Sequence, residues 1–320
     1  MDGVSVALGT RNGAPFIREQ LESILRQTVP VSEIVLSDDD SSDDTLEIAR
    51  RTVGDRVPLL IERNDEPLGV TGNFEQAIRR TSAEFVVLCD QDDVWRDDRV
   101  EAAVTTLRGE PDVDLVFSDA RIVDAHGVPT GARLFDLLEI GEDELSGIRD
   151  GRAFDVLLRR NLATGATVMF RRSLLESAMP FPQTWVHDEW LAMLASVSSR
   201  LRVDPRPLVD YRLHGGNAIG ARRPTLRVKV ARVLEPGRPR TARLAARAAD
   251  LVARLVREGA AQELVAAAEA KAAFERRRSA LPDRRMARVA PVLSLVRAHD
   301  YDRFASQGRL DVVRDLLGAP

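Results

Sequence analysis

An apolar run gives way abruptly to three carboxylates in the segment Leu88-Cys89-Asp90-Gln91-Asp92-Asp93-Val94-Trp95. Residues 85–89 have the character of a buried strand, and open α/β sheets bind ligands beyond the carboxyl ends of such strands. Carboxylates this close repel one another, and a divalent cation is the simplest way to neutralise them. The Asp-x-Asp spacing suits Mg²⁺ or Mn²⁺, which usually keep part of their coordination shell for substrate phosphates. The alternative is an acidic turn that caps a helix beginning near Asp97.

Strand and helix patterns alternate on both sides of this segment. Apolar runs predict strands at 4–8, 34–36, 57–61 and 85–89, and a period near 3.6 residues predicts helices between them. This alternation indicates an α/β fold with a mostly parallel sheet and helices on both faces. Each predicted strand in the first hundred residues is followed by polar or acidic residues, so we expect the site at the carboxyl edge of the sheet.

The rest of the chain has a less regular pattern. Residues 130–150 have the composition of an acidic loop. From Pro224 onward Ala and Arg dominate, as expected for a set of helices. The other elements that the sequence predicts are strands at 114–123, 165–170 and 209–213, and helices at 154–162 and from His187.

Length, composition and cysteine content limit the class of protein. A chain of 320 residues suits one large domain or one domain with an appendage, and 44% hydrophobic residues are ample for a core. A single cysteine, Cys89, excludes an intrachain disulfide and fits a reducing compartment. We see neither a signal-peptide pattern nor an apolar run of about 18 residues, and we therefore expect a cytoplasmic protein.

Charge is divided unevenly along the chain. Residues 222–320 hold 22 Lys and Arg against 11 Asp and Glu, whereas residues 1–221 hold 24 against 39. We therefore predict a first domain at 1–221 and a basic, Ala/Arg-rich helical appendage at 222–320. This appendage could contact anionic lipid at the inner face of the cell membrane or mediate homo-oligomerisation. We expect no nucleic-acid partner, because the appendage has only three aromatic residues to stack on bases.

Six motifs follow one another along the first two thirds of the chain. They are Val4-Ser5-Val6-Ala7-Leu8 with Arg11-Asn12-Gly13, Ser37-Asp38-Asp39 with Ser41-Ser42-Asp43, Asn64 with Gly69 and Asn73, Cys89 to Trp95, His187-Asp188, and Tyr211-Arg212-Leu213-His214 with Asn217. In this order they resemble the motifs of family 2 glycosyltransferases with the GT-A (Rossmann-like) fold, and of the rhamnosyltransferase-like members in particular. The resemblance covers about residues 3–221. It implies metal-dependent, inverting transfer of a hexose or deoxyhexose from a nucleotide-diphosphate sugar to a hydroxyl of a cell-surface glycan or a lipid-linked saccharide. By similarity, dTDP-rhamnose is the best single donor.

The resemblance gives several residues a role in binding the nucleotide sugar. Asp39 corresponds to the family's base-binding aspartate, which binds N3–H of uracil or thymine; its alternative role is to cap the next helix. Thr10 and Arg11 follow the first strand and should border the nucleotide. Asn12 either borders the nucleotide or forms a turn. Asn73 lies where the family often has a residue lining the donor pocket, and it too could be a helix cap.

One position departs from the family pattern. The family usually has glycine where this chain has Asp40. Asp is among the few residues tolerated if the backbone there requires a positive φ.

The metal site that the resemblance implies draws on two strand ends. Asp90 and Asp92 match the Asp-x-Asp motif, with Asp92 as a direct ligand of Mg²⁺ or Mn²⁺ and Asp90 on metal or ribose. His214 resembles a histidine after the last core strand that contacts metal or pyrophosphate, although a lone His is more often structural. The Gly215-Gly216-Asn217 sequence beside it indicates a close-approach loop. Asp93 is a further carboxylate without an assigned role.

Catalysis by inversion requires one base on the acceptor hydroxyl. Asp188, at the start of a predicted helix, resembles the catalytic aspartate of the family. The adjacent Glu189 could compete for this role, and both could merely stabilise the helix N-terminus. Trp185 and Trp190 flank Asp188 and could stack on sugar rings or belong to the core.

Two other classes of protein deserve comparison. A sugar-phosphate nucleotidyltransferase resembles this chain at Leu8-Gly9-Thr10-Arg11, but the Gly-rich loop is missing and no lysine precedes Lys229. A catalytically silent nucleotide-sugar-binding scaffold would be indicated by loss of Asp92 or Asp188, and both are present. The sequence therefore favours a transferase.

Overall fold

The structure of this protein is a computed structural model, which describes residues 3–215 and 237–318. Gly216 and Asn217, which extend the sixth motif, lie outside the described residues. Contacts between residues divide the chain into two compact units, one formed by residues 1–153 and 162–222 and the other by 154–161 and 223–320.

The first unit is built on one mixed sheet, in which the described residues form nine strands. The first four strands are parallel to one another, and β6 and β9, defined below, are also parallel. The remaining pairs are antiparallel. The strands are β1 (Val4–Thr10), β2 (Glu33–Asp38), β3 (Leu59–Arg63), β4 (Phe85–Asp90), β5 (Val94–Trp95), β6 (Leu115–Val123), β7 (Pro129–Arg133), β8 (Val168–Arg171) and β9 (Leu201–Arg212). Their order across the sheet is β3-β2-β1-β4-β8-β6-β9-β5, with β7 on β6.

Helices connect the strands and cover the sheet. The helix predicted at 154–162 is α7 (Ala153–Arg159). Its first residue, Ala153, belongs to the first unit, and its other residues belong to the second unit. Short 3₁₀ turns lie at Gly165–Thr167 and Arg172–Leu174. The helices are α1 (Ile17–Leu25), α2 (Thr45–Val53), α3 (Gly69–Arg80), α4 (Arg99–Gly109), α5 (Leu134–Leu137), α6 (Glu142–Arg149), α7 (Ala153–Arg159), α8 (Leu175–Ala178) and α9 (His187–Val197).

The prediction of an acidic loop at 130–150 is wrong, because this segment contains most of β7 and all of α5 and α6. Its acidic residues lie where they stabilise a helix, with Glu142, Asp143 and Glu144 in the first turn of α6. Its apolar residues are turned inward, and Phe135 is buried.

The core explains why the first strands are recognisable from sequence. Val6 in β1 and Val87 in β4 are fully buried, as are their strand neighbours, because helices cover both faces of the sheet. Trp185 and Trp190 are buried, which favours the core alternative for both over stacking on sugar rings, and Trp95 is buried as well.

The second unit is helical in its described part. Arg278 lies fully buried among three carboxylates and forms a two-pronged ion pair with Asp315. None of the helices in the described ranges combines the length and apolar content needed to cross a bilayer. After α7, the helices are α10 (Gly237–Arg257), α11 (Gln262–Ser279), α12 (Arg285–Arg297), α13 (Asp300–Phe304) and α14 (Arg309–Leu317).

Candidate active site

The predicted site residues of the first half meet at the carboxyl ends of three neighbouring strands. β1 lies between β2 and β4, and their register places Thr10 opposite Asp38 and Gly9 opposite Asp90. Asp39 follows β2 directly, and its backbone N–H donates to the carbonyl of Thr10 at 2.8 Å. The parallel sheet thus brings the first two motifs and the acidic motif to one edge.

Asp39 is buried in a network of its own protein donors. One carboxylate oxygen accepts hydrogen bonds from Asn64 Nδ2 at 3.1 Å and from the Leu68 N–H at 2.6 Å. The other accepts from the Gly69 N–H at 3.1 Å. Leu68 and Gly69 begin α3, so Asp39 caps this helix and not α2, the next helix in sequence. The Arg11 guanidinium, which is half-exposed, lies 3.9 Å from the same carboxylate.

Two asparagines extend this network to the end of β1. Asn73 is buried, its Nδ2 donates to the carbonyl of Thr10 at 3.3 Å, and its Oδ1 accepts from Asn64 at 3.2 Å. Thr10 donates from its hydroxyl to Asp38 at 2.7 Å. Asn64 belonged to the third motif without a role, and the structure makes it the bridge between Asp39 and Asn73.

Two backbone positions here adopt the left-handed region. Asn12 has φ 50, and its side-chain oxygen accepts from the Ser42 N–H at 2.9 Å, which is the behaviour of a turn former. Asp40 has φ 60. This confirms that the position needs a positive φ, and explains how Asp replaces the usual glycine.

Gln91, the central residue of the Asp-x-Asp motif, ties two loops together. Its amide accepts from the Arg11 N–H and donates to the Arg11 carbonyl, both at 2.9 Å. No role for Gln91 is predictable from the motif, because the Asp-x-Asp pattern leaves its central position undefined. The structure shows that it fixes the loop after β1 beside the acidic loop.

The pairing of β5 with β9 brings His214 to Asp92. Val94 lies opposite Asp210 in this antiparallel pair, so the chain after β9 returns alongside the acidic loop. His214 Nε2 lies 2.7 Å from Asp92 Oδ2, and the imidazole stacks on Phe16 with ring centroids 4.7 Å apart. Residues separated by about a third of the chain are therefore in direct contact.

The carboxylates of the acidic loop lie close enough to alter one another's ionisation. Burial, followed by the charges of Asp92 and Asp188, raises the pKa of Asp90 to about 7, and the charge of Arg99 opposes this shift. Burial and the charges of Asp92 and Asp90 raise the pKa of Asp93 well above its usual value. Burial and mutual repulsion thus favour the neutral forms of Asp90 and Asp93.

Arg212, which belongs to the sixth motif, and Arg99 are buried cations for which the sequence predicts no role. Arg212 donates from its backbone to Asp93 at 3.0 Å and from its guanidinium to the Asp92 carbonyl at 2.7 Å. Arg99 lies 3.9 Å above the Trp95 ring, and burial lowers its pKa to about 10. One guanidinium nitrogen of Arg99 and one carboxylate oxygen of Asp93 have no hydrogen-bond partner among the described residues.

The fit of a divalent cation can be judged from this donor set. No three His, Cys, Asp or Glu side chains within residues 3–215 and 237–318 are arranged to hold a metal ion by themselves. Asp92 and His214 do come together, whereas Asp90, on which the charge of Asp92 acts, does not complete a three-residue group among the described residues. Mg²⁺ and Mn²⁺ are commonly held by one or two protein ligands plus phosphate oxygens and waters. The donor set therefore fits a cation whose coordination is completed by a bound phosphate ligand.

Asp188 lies in the first turn of α9 and is oriented by two backbone groups. One carboxylate oxygen accepts from the Gly165 N–H and the other from the Glu189 N–H, both at 2.7 Å. Its charge raises the pKa of Asp90, so the two carboxylates are close enough to interact electrostatically. Glu189 is half-buried on the same turn.

His187 is an additional titratable residue beside Asp188. It is 4% exposed, stacks on Phe74 with centroids 4.0 Å apart, and neither ring nitrogen has a hydrogen-bond partner among the described residues. Burial lowers its pKa to about 3, which keeps the imidazole neutral. A methyl group added at Gly165 would lie 3.2 Å from its Nε2.

Sequence comparison places this architecture in a known family. The model of glycosyl transferase family 2 matches residues 5–177. A dTDP-rhamnosyl transferase from Shigella flexneri is 24% identical over 223 residues, which cover 67% of this chain and 74% of the relative. The matches to two other curated relatives span only 66% and 59% of those proteins.

Solved structures agree on the fold. TarS of S. aureus, determined with UDP-GlcNAc, superimposes with a TM-score of 0.63 at 15% identity, covering 99% of this chain and 90% of that one. A mannosyltransferase from Pyrobaculum calidifontis, determined with GDP-Man and Mn²⁺, gives 0.56 at 20% identity, covering 93% and 76%. This likeness confirms the predicted fold class, a GT-A-type α/β sheet followed by a C-terminal helical region.

Proposed function

The chain belongs to glycosyl transferase family 2, and from this premise we propose that it is a metal-dependent, inverting enzyme that transfers a hexose or deoxyhexose from a nucleotide-diphosphate sugar to an acceptor hydroxyl. The observation that carries the proposal is the placement of Asp188 near the charged loop of Asp90 and Asp92, with His214 on Asp92. We assign the activity to residues 1–221 and treat residues 222–320 as a helical appendage.

In this proposal the nucleoside lies at the ends of β1 and β2. Among the described residues, one oxygen of Asp39 accepts one hydrogen bond, from the Gly69 N–H, and it is therefore suited to receive N3–H of uracil or thymine as well. Arg11 carries a half-exposed positive charge next to Asp39, and Thr10 and Asn73 line the same strand end. Asn12 serves this pocket as a turn former.

The diphosphate would lie over the acidic loop, where Asp92 and His214 would hold the divalent cation and Asp90 the cation or the ribose. When bound, the cation supplies charge that offsets the negative charge gathering on the leaving nucleoside diphosphate. Gln91 holds this loop beside the loop after β1 through its two hydrogen bonds to the Arg11 backbone.

Asp188 acts as the base in this proposal. Its carboxylate takes the proton of the acceptor hydroxyl while the acceptor oxygen bonds to the anomeric carbon from the side opposite the nucleotide. The bond between the anomeric carbon and the phosphate oxygen breaks, and its electron pair leaves with the diphosphate. The N–H groups of Gly165 and Glu189 orient the carboxylate for this transfer.

We further propose dTDP-rhamnose as the donor and a cell-surface glycan or lipid-linked saccharide as the acceptor. The rhamnose assignment is supported by the similarity to the Shigella flexneri dTDP-rhamnosyl transferase. Synthesis of a cell-envelope polysaccharide at the cytoplasmic face of the membrane would suit such an acceptor and the buried free thiol of Cys89.

Binding and turnover test these roles separately. Calorimetry with dTDP-rhamnose, UDP-glucose and GDP-mannose, each with Mn²⁺, Mg²⁺ or EDTA, should identify one donor that binds only with metal. Asp92→Asn should weaken that binding by about tenfold or more, because a neutral amide replaces a charged metal ligand. Asp188→Asn should leave donor binding intact and lower nucleotide release by about 10²-fold or more.

Matched variants make the result specific. Glu189→Gln, on the same helical turn as Asp188, should retain most of the turnover, and the exposed Asp112→Asn should bind donor like the wild type. If no nucleotide sugar binds with any metal, the proposal fails. If donor binds but nucleotide release is equally slow in wild type and Asp188→Asn, the protein is a nucleotide-sugar-binding scaffold.

A further inference from the structure

Large apolar side chains are exposed on two neighbouring helices of the second unit. In the described part of the chain, twelve large hydrophobic residues are exposed, and seven of them lie on α12 and α14, which pack against each other. Such a concentration differs from the scattered exposed apolar residues of an ordinary surface. The seven are Met286, Val289, Leu293 and Val296 on α12, and Leu310, Val313 and Leu317 on α14.

The spacing places these residues on one side of each helix. On α12 they follow at intervals of three, four and three residues, and on α14 at three and four, which are the intervals of a single helical stripe. The buried residues Arg288, Val292 and Leu295 form a different stripe of α12, which packs into the unit. Each helix therefore has one side that packs into the unit, formed on α14 by the charged residues Asp311, Arg314 and Asp315, and a second, apolar side that is exposed. We call this second side of both helices the outer face.

Charge on the outer face has one sign. α12 contains no acidic residue, and the two of α14, Asp311 and Asp315, are buried. Both are engaged in ion pairs with Arg278 inside the unit. The exposed charged residues of the two helices are all arginines: Arg285, Arg297 and Arg309. Before α12, Arg284 and Asp283 are both exposed and have opposite charges.

We propose that the outer face of α12 and α14 docks on an anionic lipid surface. Exposed apolar side chains flanked by arginines match the acyl boundary and the negative headgroups of such a surface. A second copy of the chain is a poorer occupant, because a symmetric contact would bring the same arginines of two copies together. The inference rests on the proposed function in one respect, since a lipid-linked acceptor would be presented at this surface.

Co-sedimentation of the full chain with vesicles tests the proposal. The protein should pellet with vesicles of phosphatidylcholine and phosphatidylglycerol and stay in solution with phosphatidylcholine alone. Leu293→Asp should lower the partition coefficient by about tenfold, through lost apolar burial and added negative charge. Arg285→Gln should lower it by about fivefold, with the remaining binding weakened further by salt.

The control is Val256→Asp, because Val256 is 60% exposed on α10, outside the outer face. This variant should bind vesicles like the wild type, and circular dichroism should show native helix content for all three variants. The proposal is overturned if the wild type does not pellet, if it pellets equally with neutral vesicles, or if Leu293→Asp binds as tightly as Val256→Asp. Sedimentation velocity showing a dimer that Leu293→Asp dissociates would identify a second copy as the occupant instead.

Donor binding, measured by calorimetry on the same preparations without vesicles, separates this inference from the proposed function. Loss of vesicle binding with intact donor binding overturns only the docking surface. Vesicle binding without any donor binding overturns only the transferase proposal.

Discussion

Replacing His187 by Phe should make the first unit less sensitive to acid. The imidazole is 4% exposed, stacks on Phe74 with an interplanar angle of 15°, and has no hydrogen-bond partner for either nitrogen among the described residues. Burial therefore acts without compensation, and it lowers the pKa of His187 from 6.5 to about 3. Phe keeps an aromatic ring against Phe74 and removes the titration.

The size of the effect follows from proton linkage. Because the folded pKa is depressed, the unfolded chain binds a proton at His187 as the pH falls below 6.5, whereas the folded chain stays neutral down to about pH 3. Stability from this residue is thus complete above pH 6.5 and is lost as the pH falls. At about pH 5 the wild type should have lost about 2 kcal/mol relative to about pH 7.5, and the Phe variant should not lose this amount.

Urea unfolding followed by tryptophan fluorescence measures this difference, since Trp95, Trp185 and Trp190 all belong to the first unit. The quantity to compare is the difference in unfolding free energy between variant and wild type, measured at about pH 5 and at about pH 7.5. A packing cost of the larger ring that does not depend on pH cancels in this comparison. The exposed His126→Gln is the control and should follow the wild type at every pH. A difference that is equal at both pH values would refute the reasoning, because His187 would then have a partner that stabilises its protonated form.

Two further substitutions test how the site is held. Arg212→Met removes the guanidinium bonds to the carbonyls of Asp92 and Ala125, so it should lower the free energy of unfolding in urea by about 2–4 kcal/mol and weaken metal-dependent donor binding. The control Arg121→Met removes a half-exposed ion pair with Asp210 and should cost less than about 1 kcal/mol. Equal costs for the two variants would contradict the role of Arg212. Gly165→Ala adds a methyl group 3.4 Å from Asp188 Oδ2 and 3.2 Å from His187 Nε2. It should lower nucleotide release by about tenfold with donor affinity unchanged in calorimetry. Unchanged release would show that Gly165 does not position Asp188 for the proposed role.

The sequence predicted the parallel part of the sheet because each of its strands is a continuous apolar run followed by polar residues. Burial on both faces by helices leaves that signature, and β1 to β4 all lie where it indicated. The same reasoning placed Asp39 and Asp90 at one edge, since parallel strands end together. The positive φ of Asp40 could also be predicted, because a residue that stands in place of a glycine must adopt the backbone conformation of that glycine.

The contacts that complete the site were not predictable in this way. β5 has only two residues, too few for any periodicity, yet its pairing with β9 determines that His214 reaches Asp92. Arg212 and Gln91 lay within recognised motifs, but nothing local shows that one binds the acidic loop and the other the loop after β1. Such bonds join residues 80 and 120 positions apart and depend on the whole fold.

The two halves of the site differ in how far the protein satisfies its own polar groups. Asp39 is buried, and each of its oxygens accepts backbone or amide donors from Asn64, Leu68 and Gly69. A carboxylate held by several donors is already fixed before a ligand arrives. At the acidic loop, by contrast, Asp90 has a pKa raised to about 7, and one oxygen of Asp93 has no hydrogen-bond partner among the described residues. An uncompensated group of this kind costs stability unless a ligand supplies opposite charge. The hydrogen-bonded Asp39 and the uncompensated Asp90 and Asp93 are therefore consistent with the proposed donor, which would bring its cation with it. Metal-dependent binding is the first property to measure.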